Sequence, residues 1–179
     1  MNSTATKWVH DPMHSEVLFK AKHLVISTVT GKFREFTAEI ESSGEDFSNA
    51  KASFTAEINS IDTNMEQRDN HLKSDDFFNA EQYPTLSFVS TSFVKKSEDE
   101  YEMTGDMTIR DVTKPVTLRV EYGGTMVDFY GNTKAGFEIT GKINRKEFGL
   151  NWSAVTEAGG IVVGDEIKLV LNIQMAAQK

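Results

Sequence analysis

Residues 101–122 read YEMTGDMTIRDVTKPVTLRVEY, and their period of two decides the fold. Tyr101, Met103, Gly105, Met107 and Ile109 alternate with Glu102, Thr104, Asp106, Thr108 and Arg110. After a break, Val116, Leu118, Val120 and Tyr122 alternate with Thr117, Arg119 and Glu121. Successive side chains of a strand point to opposite faces, so each run has one apolar and one polar face. A short connection between two such runs predicts antiparallel neighbours.

The same pattern extends in both directions. Upstream, Phe36, Ala38 and Ile40 alternate with Thr37 and Glu39, and Ala52, Phe54, Ala56 and Ile58 alternate with Ser53, Thr55 and Glu57. Ser43-Gly44-Glu45 reads as the hairpin-type turn between them. Earlier still, Trp8-Val9 opens a short strand, Asp11-Pro12 turns, and Val17, Phe19 and Ala21 share one face. Downstream, Gly123-Gly124 marks a turn or bulge; Ala135, Phe137, Ile139 and Ile143 form a further strand, and Ile167, Leu169, Leu171, Ile173 and Met175 the last. The run from Leu86 to Val94 alternates poorly, with Phe88 on one face and Val89 and Phe93 on the other, which predicts a strand covered on both sides. About eight strands in succession predict an all-β chain folded as an up-and-down antiparallel barrel.

One stretch departs from this period. In residues 63–88, TNMEQRDNHLKSDDFFNAEQYPTLSF, Thr63 and Glu66 have capping-box spacing, which predicts a helix from about Asn64. Met65, Arg68 and Leu72 would then share a side with His71. Ser74 offers a second cap before Phe77 and Phe78, and Tyr83-Pro84 returns the chain to extended backbone. A helical insertion near residues 64–80 lying against the barrel is the simplest reading.

With 179 residues and no linker-like segment, the chain reads as one domain, 1–179. Its formal charge of -8 argues against nucleic acid or an anionic membrane as partner. It has no cysteine, so disulfides and thiolate metal sites are excluded. No apolar run approaches a membrane span, which predicts that this is not an integral membrane protein. The start, MNSTATKWVHD, has no leader pattern, which predicts a cytoplasmic location as written and a periplasmic one if a leader precedes it.

Function is sought on the inward faces. Bulky Phe19, Phe36, Phe54, Phe88, Met107, Phe137 and Leu169 alternate there with small Ala21, Ala38, Ala52, Ala56, Gly105, Ala135 and Gly141. The missing bulk leaves room for an apolar ligand, the other reading being a filled core. Arg68, Asp69 and His71 could bind a polar head group. They could equally hold the helix to the barrel through an ion pair of Arg68 with Asp69 or with a strand carboxylate. Acid–base chemistry by His71 with Asp69 is geometrically poor, because residues two apart on a helix diverge. His10, His14 and His23 lack a metal-ligand pattern, and no metal or other cofactor is expected.

Taken together, these residues resemble the YceI-like family of polyisoprenoid-binding, lipocalin-like proteins. Four ordered motifs carry the resemblance. The first spans Trp8, Asp11, His14-Ser15, Phe19 and Lys22-His23-Leu24, and the second Arg68-Asp69-Asn70-His71-Leu72 with Asp75-Asp76-Phe77-Phe78 and Tyr83-Pro84. The third is Gly105-Asp106-Met107-Thr108-Ile109 with Val112-Thr113-Lys114-Pro115, and the fourth Asn144-Arg145-Lys146-Glu147-Phe148-Gly149 with Gly159-Gly160.

The resemblance implies an extended eight-stranded barrel with a helix across it, a long apolar tunnel, a bound isoprenoid or similar amphiphilic lipid, and a homodimer. The expected head-group residues are Arg68, Asp69, His71 and His14. The expected tail lining is Phe19, Leu24, Phe36, Phe54, Leu72, Phe77 and Phe88, continued by Met107, Ile109, Phe137, Phe148, Trp152 and Leu169. The expected function is non-enzymatic lipid binding, storage or transport; the alternative is a hydrolase acting on a lipid head group around Arg68, Asp69 and His71.

Overall fold

The computed structural model describes residues 5–23, 27–43, 46–150 and 163–178. Eleven strand segments form one sheet: β1 Thr6–His10, β2 Glu16–His23, β3 Ser27–Phe33, β4 Phe36–Ser42, β5 Lys51–Glu57, β6 Ile61–Asp62, β7 Thr85–Lys95, β8 Glu100–Ile109, β9 Val112–Val127, β10 Thr133–Asn144 and β11 Val163–Ala177. They make eight barrel strands, because three of these are interrupted. β1 and β2 both run along β11, β4 pairs with β1 while β3 pairs with β2, and β5 pairs with β4 while β6 pairs with β3. From β5 the order continues through β7, β8, β9, β10 and β11, and pairing of β1 with β11 closes the barrel. All pairs are antiparallel, as the alternation predicts.

The breaks have local causes. Pro12 lacks an N–H for the ladder, and the Asp11 carboxylate caps a short 3-10 turn by accepting from the Met13 N–H at 3.0 Å. The ladder bridges the gap because the Asp11 N–H donates to the Gln174 carbonyl and Ser15 Oγ accepts from the Gln174 N–H.

One strand expectation needs correction. β7 is not covered on both sides: its register shifts between Ser90 and Ser92, so Phe93 returns to the inward face of Leu86 and Phe88, and Val89 is left 56% exposed. A bulge, rather than burial of both faces, produced the irregular pattern. Gly123-Gly124 is likewise a bulge within β9, which runs on to Val127.

α1 spans Glu66–Lys73, starting later than the capping box predicts. Asn64 takes a left-handed φ of 67°, and Met65, extended at the N-cap, points away from the barrel's interior and is exposed. The Thr63 hydroxyl is already engaged by Asp69 and Arg68, so the predicted reciprocal cap with Glu66 does not form.

Candidate functional site: an apolar cavity inside the barrel

The cavity lies between two differently built ends. At the end where β4, β7 and β11 finish, the connection after β4 turns inward and buries Phe47, which is 4% exposed. Its ring packs against Phe137 at 4.9 Å, Trp8 and Tyr122 each at 5.5 Å, and Tyr101 at 6.4 Å. The plug is satisfied polarly as well: the Phe47 N–H donates to the Tyr101 hydroxyl at 3.2 Å, and Trp8 Nε1 donates to Ser42 Oγ at 3.1 Å. This closure had no strand or helix period to betray it in the sequence.

At the opposite end lies the insertion after β6. Arg68, His71 and Leu72 from α1, with Phe77 and Phe78 from the following turns, face the space between the strands. The cavity bounded by the two ends has a volume of about 320 Å³, within the range of roughly 300–1,000 Å³ typical of small-molecule sites. Its walls are almost entirely hydrocarbon, so the alternative of a completely filled core does not describe this barrel.

Most of the expected tail-lining residues border it: Phe19, Phe54, Leu72, Phe77 and Phe88, and from the later strands Met107, Ile109, Phe137 and Leu169. Two do not. Phe36 faces inward but stacks on His10 at 5.0 Å and Phe54 at 5.9 Å. Phe148, 1% exposed, belongs to the turn after β10 and is buried in the core instead. Leu24 and Trp152, with Gly159-Gly160, lie outside the described residues.

The polar residues separate into different roles. Arg68 borders the cavity while its Nε donates to Thr63 Oγ1 at 2.8 Å and its Nη2 to the Thr63 carbonyl at 2.6 Å. Asp69 accepts from the Thr63 N–H at 2.8 Å and from its hydroxyl at 2.5 Å. Arg68 and Asp69 therefore both bind Thr63, tying α1 to the end of β6. His71 borders the cavity too, but its Nε2 pairs with Asp76 at 2.8 Å, not with Asp69, and its ring meets Phe77 edge-on at 5.2 Å. The nearby Ser74 hydroxyl donates to the His71 carbonyl at 2.5 Å, so it serves the helix end.

His14 does not belong to this site. It sits in the turn between β1 and β2, where its ring pairs with the Asp11 carboxylate at 2.9 Å. Lys134 Nζ reaches the same carboxylate at 3.0 Å, and these contacts, His14 first, lower the Asp11 pKa to about 2. His10 accepts the Ala38 N–H at Nδ1, 3.2 Å, a structural role unlike a metal ligand's. Among the described residues, no three His, Cys, Asp or Glu side chains are grouped to hold a metal, and no helix is long and apolar enough to cross a membrane.

Two arginines missed as site residues organise this end. Arg145 is 2% exposed and borders the cavity; its Nε donates to the Gly164 carbonyl at 2.9 Å, its Nη1 to the Leu150 carbonyl at 2.5 Å, and its guanidinium lies 5.9 Å from the Phe77 ring centre. Burial lowers its pKa. Arg110, at the β8–β9 hairpin with φ 56°, donates to the Asp75 and Phe77 carbonyls, each at 3.1 Å, and pairs with the Asp75 carboxylate at 3.0 Å. Arg145 stood in the fourth motif with no role attached, and Arg110 was visible only as an isolated charge, since its partners Asp75 and Phe77 are distant in sequence.

Fold and cavity define a closed antiparallel barrel with an apolar interior, plugged by aromatics at one end and crossed by a short helix at the other. The chain belongs to the YceI family: the YceI-like domain model matches residues 8–175. A UPF0312 protein of Staphylococcus aureus strain USA300 is 38% identical over 172 residues, covering 96% of this chain and 98% of its own. The crystal structure of a Campylobacter jejuni YceI protein matches with TM-score 0.75 and 35% identity over 88% of this chain and 90% of that one. A polyisoprenoid binding domain from Saccharophagus degradans shares the fold, with TM-score 0.66 and 14% identity over 96% and 98% of the two chains.

Proposed function

We infer that this protein binds, stores or carries a long-chain isoprenoid or similar amphiphilic lipid without transforming it chemically. The observation that carries the reading is the cavity of about 320 Å³ walled by apolar side chains. The name of the Saccharophagus degradans neighbour, a polyisoprenoid binding domain, supports the ligand class. Each buried methylene contributes about 0.8 kcal/mol, so ten give roughly 8 kcal/mol gross. Association itself costs roughly 4–15 kcal/mol, so a short tail binds poorly and a long one is selected.

In this reading the head group rests near Arg68 and His71, the polar side chains of α1 that border the cavity. Asp69 positions α1 through Thr63. The His71–Asp76 pair orients the imidazole. The functional unit of the reading is a homodimer of such barrels.

Leu169→Trp tests the cavity, since it adds bulk to the wall without adding charge. Uptake of an apolar fluorescent probe, and its displacement by an added polyprenol, should be lost while the melting temperature stays near the parent's. Unchanged uptake in a folded Leu169→Trp protein would place the ligand elsewhere and contradict the reading.

A further inference from the structure

The barrel wall has a seam between β5 and β7. Their ladder ends at Ser53 opposite Val89. Further along, the Asn49 N–H donates to the Phe93 carbonyl at 2.9 Å. Between these two points the Ala52 N–H donates at 2.8 Å to a side chain, Ser90 Oγ. The cause is the β7 bulge: Ser90 stands opposite Gly105 and Ser92 opposite Thr104, so Thr91 is the extra residue, and its hydroxyl donates to the Thr104 carbonyl at 3.2 Å. Continued in register, Lys51 would face Thr91, and that pair forms no rung of the described ladder.

The seam lies between two spaces. Outside it is a groove of about 580 Å³, larger than the cavity of about 320 Å³ within. Ala52, Ser53 and Phe93 border both. Two of these three are small, so little bulk separates cavity from groove. Val89 and Val94, 56% and 46% exposed, line the groove and make part of its wall apolar. The charged residues of that wall face one another: Lys7 pairs with Glu39 at 3.7 Å, and Glu41 stands opposite Lys51.

We propose that the seam is a side exit from the cavity, through which the distal part of a long hydrocarbon tail passes between β5 and β7 to lie in the outer groove. The inference rests on the lipid-binding reading and adds a second subsite to it. The cavity is at the small end of the range for ligand sites, so a short prenyl chain fits inside while a long one must leave the barrel. The Phe47 end is filled by packed rings and two hydrogen bonds. At the helix end Arg68 and Asp69 hold Thr63, and Arg110 holds the Asp75 and Phe77 carbonyls. Parting the seam is cheaper, because the Ala52 N–H and the Ser90 hydroxyl are only part-buried beside the open groove, where water replaces their bond and no polar group is left buried and unsatisfied.

Displacement of an apolar fluorescent probe by a short prenol, geraniol, and by a long one, solanesol, separates the two subsites. Val89→Glu and Val94→Glu place charge in the groove at exposed positions, so the melting temperature should stay near the parent's. Each should weaken solanesol by about tenfold, the loss of burial of roughly two methylenes, and leave geraniol unchanged. Met13→Glu, equally charged and exposed in the turn before β2, should affect neither prenol. Solanesol binding that is indifferent to both groove variants overturns the side exit and leaves the lipid-binding reading standing. Equal weakening of both prenols also overturns it, since the damage would then lie in the cavity. A parent that takes up neither prenol overturns the lipid-binding reading and the side exit with it.

Discussion

Arg145 shows how a single residue can set the geometry of the cavity's helix end. Among the described residues its donors reach two carbonyls on separate segments, Leu150 after β10 and Gly164 in β11, while the Asp165 carboxylate lies 3.7 Å away and supplies charge. Arg145→Met keeps much of the bulk but strips both carbonyls of their donor. It should cost roughly 2–6 kcal/mol, since each buried unsatisfied group costs about 1–3 kcal/mol, measured by urea unfolding. Asp11 yields a pH prediction. Its pKa, held at about 2 by His14 and Lys134, lies below the usual 3.8, so the unfolded chain binds the proton more readily. The stability Asp11 contributes is present above pH 3.8 and is lost as pH falls through about 2. Asp11→Ala should lower stability at neutral pH by on the order of 1 kcal/mol and flatten that acid limb in pH-dependent unfolding.

At the scale of elements, the β7 bulge and Gly105 form one device. Gly105 stands opposite Ser90, and a Cβ there would come within 2.5 Å of the Val89 carbonyl oxygen and 2.8 Å of Ser90 Cα. Backbone cannot yield as a side-chain tip can, so Gly105→Ala should destabilise by about 1–3 kcal/mol and disturb Phe93 packing, seen as a lower melting temperature. Alternation made β4, β5, β8 and the first half of β9 legible, because half-buried strands write their faces into the sequence. Where the phase slips without a glycine pair to mark it, at Ser90–Ser92, the same rule misleads. The start of α1 was misplaced because Thr63 spends its hydroxyl on Asp69, a tertiary arrangement that outweighs the local capping pattern. Phe47 was not recognisable as a closing element, since its ring partners Trp8, Tyr101, Tyr122 and Phe137 come from separate strands. His14 was assigned to the head group, whereas strand breaks place it beside Asp11 outside the cavity.

For the whole molecule, the decisive property is incomplete filling. Aromatic side chains close one end around Phe47, while small residues such as Ala38 and Ala52 leave the middle open. Phe47→Ala should weaken that closure, costing about 3–5 kcal/mol as in other large-to-small core changes, with calorimetry as the readout. The cavity itself is tested most directly by mass spectrometry of organic extracts from protein purified under native conditions. A long-chain isoprenoid or related amphiphile in near-stoichiometric amount is the expected result; protein that is reproducibly empty and also refuses added polyprenol would contradict the account.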